Sequence, residues 1–129
     1  MTSPADDPRF LEGIACFNRR AFFHAHEVWE DVWREEQGPA RRFYQGLIQL
    51  AVSLHHFGNG NTRGARKLYV SGSEYLQPYR PAYLGIDLDG LLRGMTRCCQ
   101  ALLESDDAVP RPKLDPDLIP TIVPIHTLS

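Results

Sequence analysis

The stretch at residues 40–58 constrains the fold most, because it reads as a helix with apolar side chains on almost every side. Gly38-Pro39 precedes it, and a glycine- and asparagine-rich break at 58–61 follows it. A helix with so little polar surface is normally enclosed by other elements. The sequence therefore predicts a central helix in an all-α fold. Its apolar positions are Phe43, Tyr44, Leu47, Ile48, Leu50, Ala51, Val52, Leu54 and Phe57.

Four further helices are predicted from a helical spacing of apolar residues between start and stop signals. Asp7 is a capping residue for the first and Asp87 for the last, and no strand pattern of similar quality occurs before residue 105. The fold class is thus predicted to be all-α, a single-domain bundle of about five helices with a central apolar third helix. The predicted ranges are about 8–18, 21–36, 40–58, 62–77 and 88–104.

The last 25 residues hold five of the ten prolines, so they are predicted to be an extended, proline-rich C-terminal tail. The predicted division is a helical bundle domain at 1–104 and a tail at 105–129. Four apolar side chains in the tail favour docking on the bundle or on a partner subunit, and a disordered tail is the alternative. These side chains are Ile119, Ile122, Val123 and Ile125.

Composition limits the partners that the chain is expected to bind. The 129 residues carry a formal charge of −2, which disfavours a nucleic-acid binder because such proteins need a basic surface for phosphates. No apolar run of about 18 residues and no N-terminal apolar segment is present, so neither a membrane span nor a signal peptide is predicted. The expected location is the cytoplasm, and a homo-oligomer is left open.

The three cysteines, Cys16, Cys98 and Cys99, form neither a disulfide framework nor a metal-binding spacing. Cys98 and Cys99 flank one apolar helix face, which favours small core residues in a reducing compartment. The alternative is a reactive thiol.

Four hydrogen-bonding side chains are predicted to meet between helices two and three. On the second helix, His26 and Glu30 are spaced at i and i+4 beside the apolar stripe, and on the third, Gln45 and Gln49 lie in a narrow polar strip. In an antiparallel hairpin, residues equally distant from the turn oppose each other. Glu30 is therefore expected to lie level with Gln45, and His26 level with Gln49.

The sequence leaves three interpretations of this His/Glu/Gln cluster open. The first is a buried structural network that fixes how the two helices pack. The second is a binding site for a small polar ligand or a protein partner, with Trp29 and Trp33 as walls.

The third interpretation is a divalent metal held by His26 and Glu30, although the second histidine of an HExxH motif is missing and glutamine is a poor ligand. An acid/base or metal-dependent, hydrolase-like enzyme that uses His26 and Glu30 is the alternative function. No nucleophile elbow, P-loop or dinucleotide fingerprint accompanies them, so whether the chain is an enzyme, and which cofactor it would use, stay open.

Three motifs carry a family resemblance over roughly residues 8 to 104: Phe22-Phe23-x-x-His26-Glu27-Val28-Trp29-Glu30-x-x-Trp33, Tyr44-Gln45-Gly46-Leu47-Ile48-Gln49-x-Ala51-x-x-Leu54-His55-His56 and Gly60-Asn61-x-x-Gly64-Ala65. They resemble the small prokaryotic family catalogued as domain of unknown function 309. The resemblance implies an all-helical bundle with no established activity. It also implies that the family's signature positions are His26, Glu27, Glu30, Trp33, Gln45 and Gln49. Glu27 lies on the outer side of its helix, where it would face another helix or another subunit.

Overall fold

The structure is a computed structural model that describes residues 4–105 and 110–125. Its five helices begin and end at or next to the predicted residues, so the all-α prediction is confirmed. They are α1 (Pro8–Asn18), α2 (Phe22–Glu35), α3 (Arg41–Gly58), α4 (Thr62–Leu76) and α5 (Leu88–Glu104). A two-stranded antiparallel hairpin between α4 and α5, β1 (Ala82–Tyr83) and β2 (Ile86–Asp87), was not predicted.

Side-chain caps explain why three of these helices begin where they do. The carboxylate of Asp7 accepts from the Arg9 amide at 2.8 Å, and that of Asp87 accepts from the Gly90 amide at 2.9 Å. Asn61 caps α4 in the same way. Each cap satisfies an amide that has no partner within its own helix, so the start of the helix is fixed by short-range chemistry.

Helix α3 is central, with α2 on one side and α4 on the other. The α3–α4 contact is close because it is built on glycines: a Cβ on Gly72 would lie 3.0 Å from the Gly46 carbonyl oxygen. The buried Ser53 hydroxyl donates to the Ala65 carbonyl of α4 at 2.7 Å. Ser53 is therefore a link between helices. No helix in the described part of the chain is long and apolar enough to cross a membrane.

The tail segment 110–125 packs on its own bundle. The Asn18 side chain donates to the Ile122 carbonyl at 2.9 Å and accepts from the Ile122 amide at 2.7 Å. Ile122 is only 2% exposed, whereas Val123 and Ile125 are 44% and 45% exposed. Main-chain bonds from the tail to the β1–β2 hairpin complete the contact. Residues 106–109 and 126–129 of the predicted tail lie outside the described residues.

Candidate functional site

The predicted pair on α2 is formed, and its hydrogen bonds stay within that helix. His26 Nε2 lies 3.0 Å from Glu30 Oε2, while the other Glu30 oxygen accepts from Arg34 at 2.7 Å. The second ring nitrogen of His26 lies 2.8 Å from the Phe23 carbonyl oxygen. Both nitrogens thus face acceptors, so both bonds form together only when both nitrogens carry a proton.

The four side chains were predicted to meet, but among the described contacts neither His26 nor Glu30 bonds to a glutamine of α3. Gln49 packs towards α4, where its Cβ would lie 3.1 Å from a Cβ on Gly72. Gln45 is half-buried on the outer side of α3. His26 and Glu30 already hydrogen-bond to each other and to residues about one turn away on α2. The rotation of α3 about its own axis, which decides where its side chains point, depends on packing against other helices.

Two of the predicted site residues have buried polar atoms without a protein partner. They are the indole nitrogen of Trp33, a donor, and the side-chain oxygen of Gln49, an acceptor. The Arg41 guanidinium lies 4.0 Å from the centre of the Trp33 ring and also donates to the Trp33 carbonyl oxygen at 2.7 Å. Arg41 was not among the predicted site residues, although its position at the start of α3, opposite the end of α2, was a usable signal.

No element in the described part of the chain covers the outer side of α3. The side chains on this side are nevertheless half-buried, because α2 and α4 flank them. We call this surface, together with the side of α2 that borders it, the open face. The α3 residues of the open face are Arg41, Gln45, Ile48, Gln49, Val52, His55 and His56. The α2 residues are Phe23, His26, Glu30 and Trp33. The open face contains no lysine and no aspartate, and Glu30 is its one carboxylate.

An aromatic group marks one end of the open face. Phe23 is 50% exposed, and its ring centre lies 4.8 Å from that of His26 and 5.1 Å from that of His55. His56 lies 6.0 Å further along. An exposed phenylalanine held between two imidazole rings presents aromatic surface to an incoming partner. Phe23 was not among the predicted site residues, although it belongs to the first of the three motifs.

Glu27 is exposed, and its carboxylate lies 3.8 Å from His24 Nδ1. His26, Glu27 and Glu30 line a shallow depression of about 370 Å³ that is formed by α2 side chains alone, without Trp33, Gln45 or Gln49. The structure therefore does not gather the six predicted residues around one cavity.

A larger cleft of about 600 Å³ lies between the N-terminal segment and the end of α2. Tyr44 is at its floor, where burial raises the pKa of the phenol to about 12. At its edge, the Arg9 side chain donates to the Asp7 carboxylate and lowers the pKa of Asp7. The cleft also borders Pro4, which follows the undescribed residues 1–3.

His26 and Glu30 offer two metal-ligating atoms. Within the described residues, no further cysteine, histidine or carboxylate joins them in a group of three. Both atoms are already engaged in hydrogen bonds, and a structural zinc site uses four ligands. The geometry of this pair fits a hydrogen-bonded surface pair better than a metal centre.

Comparison with known proteins shows a family resemblance, but the matched family and the two relatives below are uncharacterized. Residues 10–68, slightly less than half of the chain, match the family described as "Domain of unknown function (DUF309)". The uncharacterized protein YpuF of Bacillus subtilis (strain 168) is 39% identical over 79 residues, 59% of this chain and 45% of the relative. An uncharacterized protein of Aquifex aeolicus (strain VF5) is 38% identical over 53 residues, 39% of this chain and 15% of the relative.

The chain thus spans less than half the length of either relative. The matched region runs from α1 into α4 and includes all six signature positions. The resemblance predicted from the motifs is confirmed over residues 10–68, which are similar to the DUF309 family.

Proposed function

We propose that this domain is a binding module whose open face docks an acidic, partly apolar segment of a partner protein. The observation that carries the proposal is the uncovered side of α3, which is half-buried along its length and has no carboxylate of its own. Solvated helix faces usually carry Lys and Glu, whereas the cores of protein interfaces are depleted in Lys, Glu and Asp. The open face has the composition of an interface.

The charge of the open face supports an acidic partner. Its one carboxylate, Glu30, is already paired with His26 and Arg34. Arg41 has five N–H donors, and only Nη1 makes the two bonds to the carbonyl oxygens of Trp33 and Glu36. Further donors therefore remain for an incoming carboxylate, and guanidinium–carboxylate pairs are among the stronger polar contacts at interfaces.

The shape of the open face favours a protein segment over a small molecule. Small-molecule sites are concave and enclose most of the ligand, whereas the depression beside His26 and Glu30 is shallow and belongs to one helix. A long strip flanked by two helices suits an amphipathic segment laid along it. We therefore favour the protein-partner alternative among the binding functions expected from the sequence.

The unpaired polar atoms of the open face support the same proposal. An unpartnered buried polar group costs about 1 to 3 kcal/mol. The Trp33 indole N–H and the Gln49 side-chain oxygen are one donor and one acceptor of this kind. A bound segment with free polar groups could satisfy both, which would concentrate binding energy at Trp33 and Gln49.

The three cysteines are free and buried, which supports a reducing compartment, and we propose the cytoplasm as the location. A second copy of the chain is the competing occupant of the open face. Sedimentation over a range of protein concentrations distinguishes the two, because self-association on this face would grow with concentration and would exclude the acidic segment.

The test is an NMR titration with two synthetic amphipathic helical peptides, one with glutamates and the other with lysines on its polar face. We expect only the acidic peptide to shift the Trp33 indole signal and the Gln45 and Gln49 side-chain amides. Gln45→Glu should weaken that binding by adding a repelling carboxylate, whereas Gln37→Glu, at an exposed position after α2, should not. Equal shifts from both peptides, or none from either, would contradict the proposal.

A further inference from the structure

We infer that the chain has a zinc-type metal site at the junction of α1 and α2, formed by Glu12, Cys16 and His24. One ligand atom from each of these three side chains lies within 4.8 Å of the other two. The site is separate from the open face, and the inference does not depend on the proposed function. It also gives roles to His24 and Cys16, which the binding function leaves unused.

Local structure brings the three side chains together. Glu12 and Cys16 are four residues apart on α1, so they lie on the same side of that helix. The chain then reverses at Arg20, where φ is +69° and the next amide, of Ala21, bonds to the Cys16 carbonyl oxygen at 2.8 Å. This tight turn starts α2 at once, so that its third residue, His24, lies beside Glu12.

The donor set matches the chemistry of zinc. A thiolate, an imidazole nitrogen and a carboxylate oxygen are its three common protein ligands, with metal–ligand distances of about 2.0 to 2.3 Å. In a tetrahedral site these distances separate neighbouring donors by about 3.3 to 3.8 Å. His24 Nε2 and Glu12 Oε1 are 3.9 Å apart, close to this separation, and all three donors lie within 4.8 Å of one another. Two anionic ligands would balance the charge of a divalent ion.

The surroundings of the three ligands support the same chemistry. His24 presents Nε2 to Glu12, and its other nitrogen lies 3.8 Å from the Glu27 carboxylate, within ion-pair range but longer than a hydrogen bond. A carboxylate on the far nitrogen of a metal-bound histidine is the usual device that fixes its tautomer and ring orientation. Arg19 donates to the Cys16 sulfur at 3.3 Å, so a cationic side chain already borders this ligand atom. Glu27 would thus be a positioning residue for His24.

The burial of the ligands indicates an open site. Cys16 is fully buried, whereas the side chains of Glu12 and His24 are each more than half exposed. An ion held by all three would have the sulfur on its protein side and solvent on the other. Three protein ligands with one open position are the arrangement that leaves room for water or an exogenous ligand.

Cobalt(II) titration of the full chain tests the site, because cobalt bound to a thiolate has a charge-transfer band in the near ultraviolet and tetrahedral cobalt absorbs strongly in the visible. We expect both signals at one ion per chain and their loss when zinc is added. Cys16→Ala should abolish the charge-transfer band, and the matched Cys98→Ala should keep it, since Cys98 is a buried thiol in α5. Absence of the band, or its persistence in Cys16→Ala, would overturn the inference.

Two variants on exposed positions keep the test independent of folding. His24→Gln should lose the visible cobalt signal while circular dichroism shows an unchanged helix content. Glu27→Gln should weaken zinc binding by about 10- to 100-fold, as is usual for an outer carboxylate, and Asp31→Asn on the same helix should leave it unchanged. Undiminished zinc affinity in both His24→Gln and Glu27→Gln would show that the ion binds elsewhere.

Discussion

At the scale of single residues, Gly13 sets how closely α1 and α2 approach. The Trp29 indole is fully buried, donates to the Phe10 carbonyl oxygen at 3.2 Å and lies where a Cβ on Gly13 would be. Gly13→Ala should therefore lower the free energy of unfolding by about 1 to 3 kcal/mol, through overpacking. Urea denaturation measures this. Gly58→Ala is the control, because its Cβ would meet only Leu114 at 3.6 Å, and the alanine should be neutral or slightly stabilising.

Tyr44 should make the fold sensitive to alkali. Its folded-state pKa of about 12 lies above the ordinary value of 10.0, so the stabilisation is complete below pH 10 and is lost as the pH rises from there towards 12. Tyr44→Phe should reduce this alkaline loss of stability, as measured by urea midpoints at increasing pH. Tyr75→Phe should retain it. Identical alkaline profiles for all three proteins would show that Tyr44 is not the group responsible.

At the scale of elements, Gly72 controls the α3–α4 contact. A Cβ at this position would be 3.0 Å from a backbone oxygen of Gly46, an atom that cannot move without its helix. We expect Gly72→Ala to destabilise the protein by about 1 to 3 kcal/mol, despite the better helix propensity of alanine. Denaturation would report the loss, and faster amide exchange in α4 would locate it. A more stable Gly72→Ala protein would mean that the two helices are further apart in solution.

The contact between the tail and the bundle depends more on Asn18 than on Arg20. Asn18 satisfies both backbone groups of Ile122, whereas Arg20 makes a single exposed bond to the Pro116 carbonyl oxygen. Each part-buried hydrogen bond contributes about 0.5 to 1.5 kcal/mol. Asn18→Ala should accelerate hydrogen exchange of the Ile122 amide strongly, and Arg20→Ala only slightly. The reverse order would place the anchor of the tail elsewhere.

At the scale of the whole molecule, α3 separates the core from the open face. Leu47 is 1% exposed on the core side, and its neighbour Ile48 is half-buried on the other. Leu47→Ala should cost about 2 to 5 kcal/mol, and Ile48→Ala distinctly less because solvent can fill the space. Thermal and urea unfolding measure both. If Leu47→Ala and Ile48→Ala lost the same free energy of unfolding, and if this loss increased with protein concentration, a second copy would be shown to cover Ile48.

Most of the fold could be predicted because its determinants are local. The caps Asp7 and Asp87 and the spacing of apolar residues act over one or two turns, so the bounds of the helices follow from the sequence. The β1–β2 hairpin was missed because each strand has only two residues, too few for a pattern. The candidate site was predicted only in part, as a His26–Glu30 pair without its expected glutamine partners.

The sequence by itself thus determined five helices, a central α3 and the presence of His26 and Glu30 on one side of α2. Only the tertiary structure decided that Gln49 packs towards α4 and that Cys16 meets His24. The physical reason is that helix formation depends on neighbours within a turn or two, whereas the rotation of each helix depends on distant contacts. Glycines that allow close approach, such as Gly13 and Gly72, fix that rotation here.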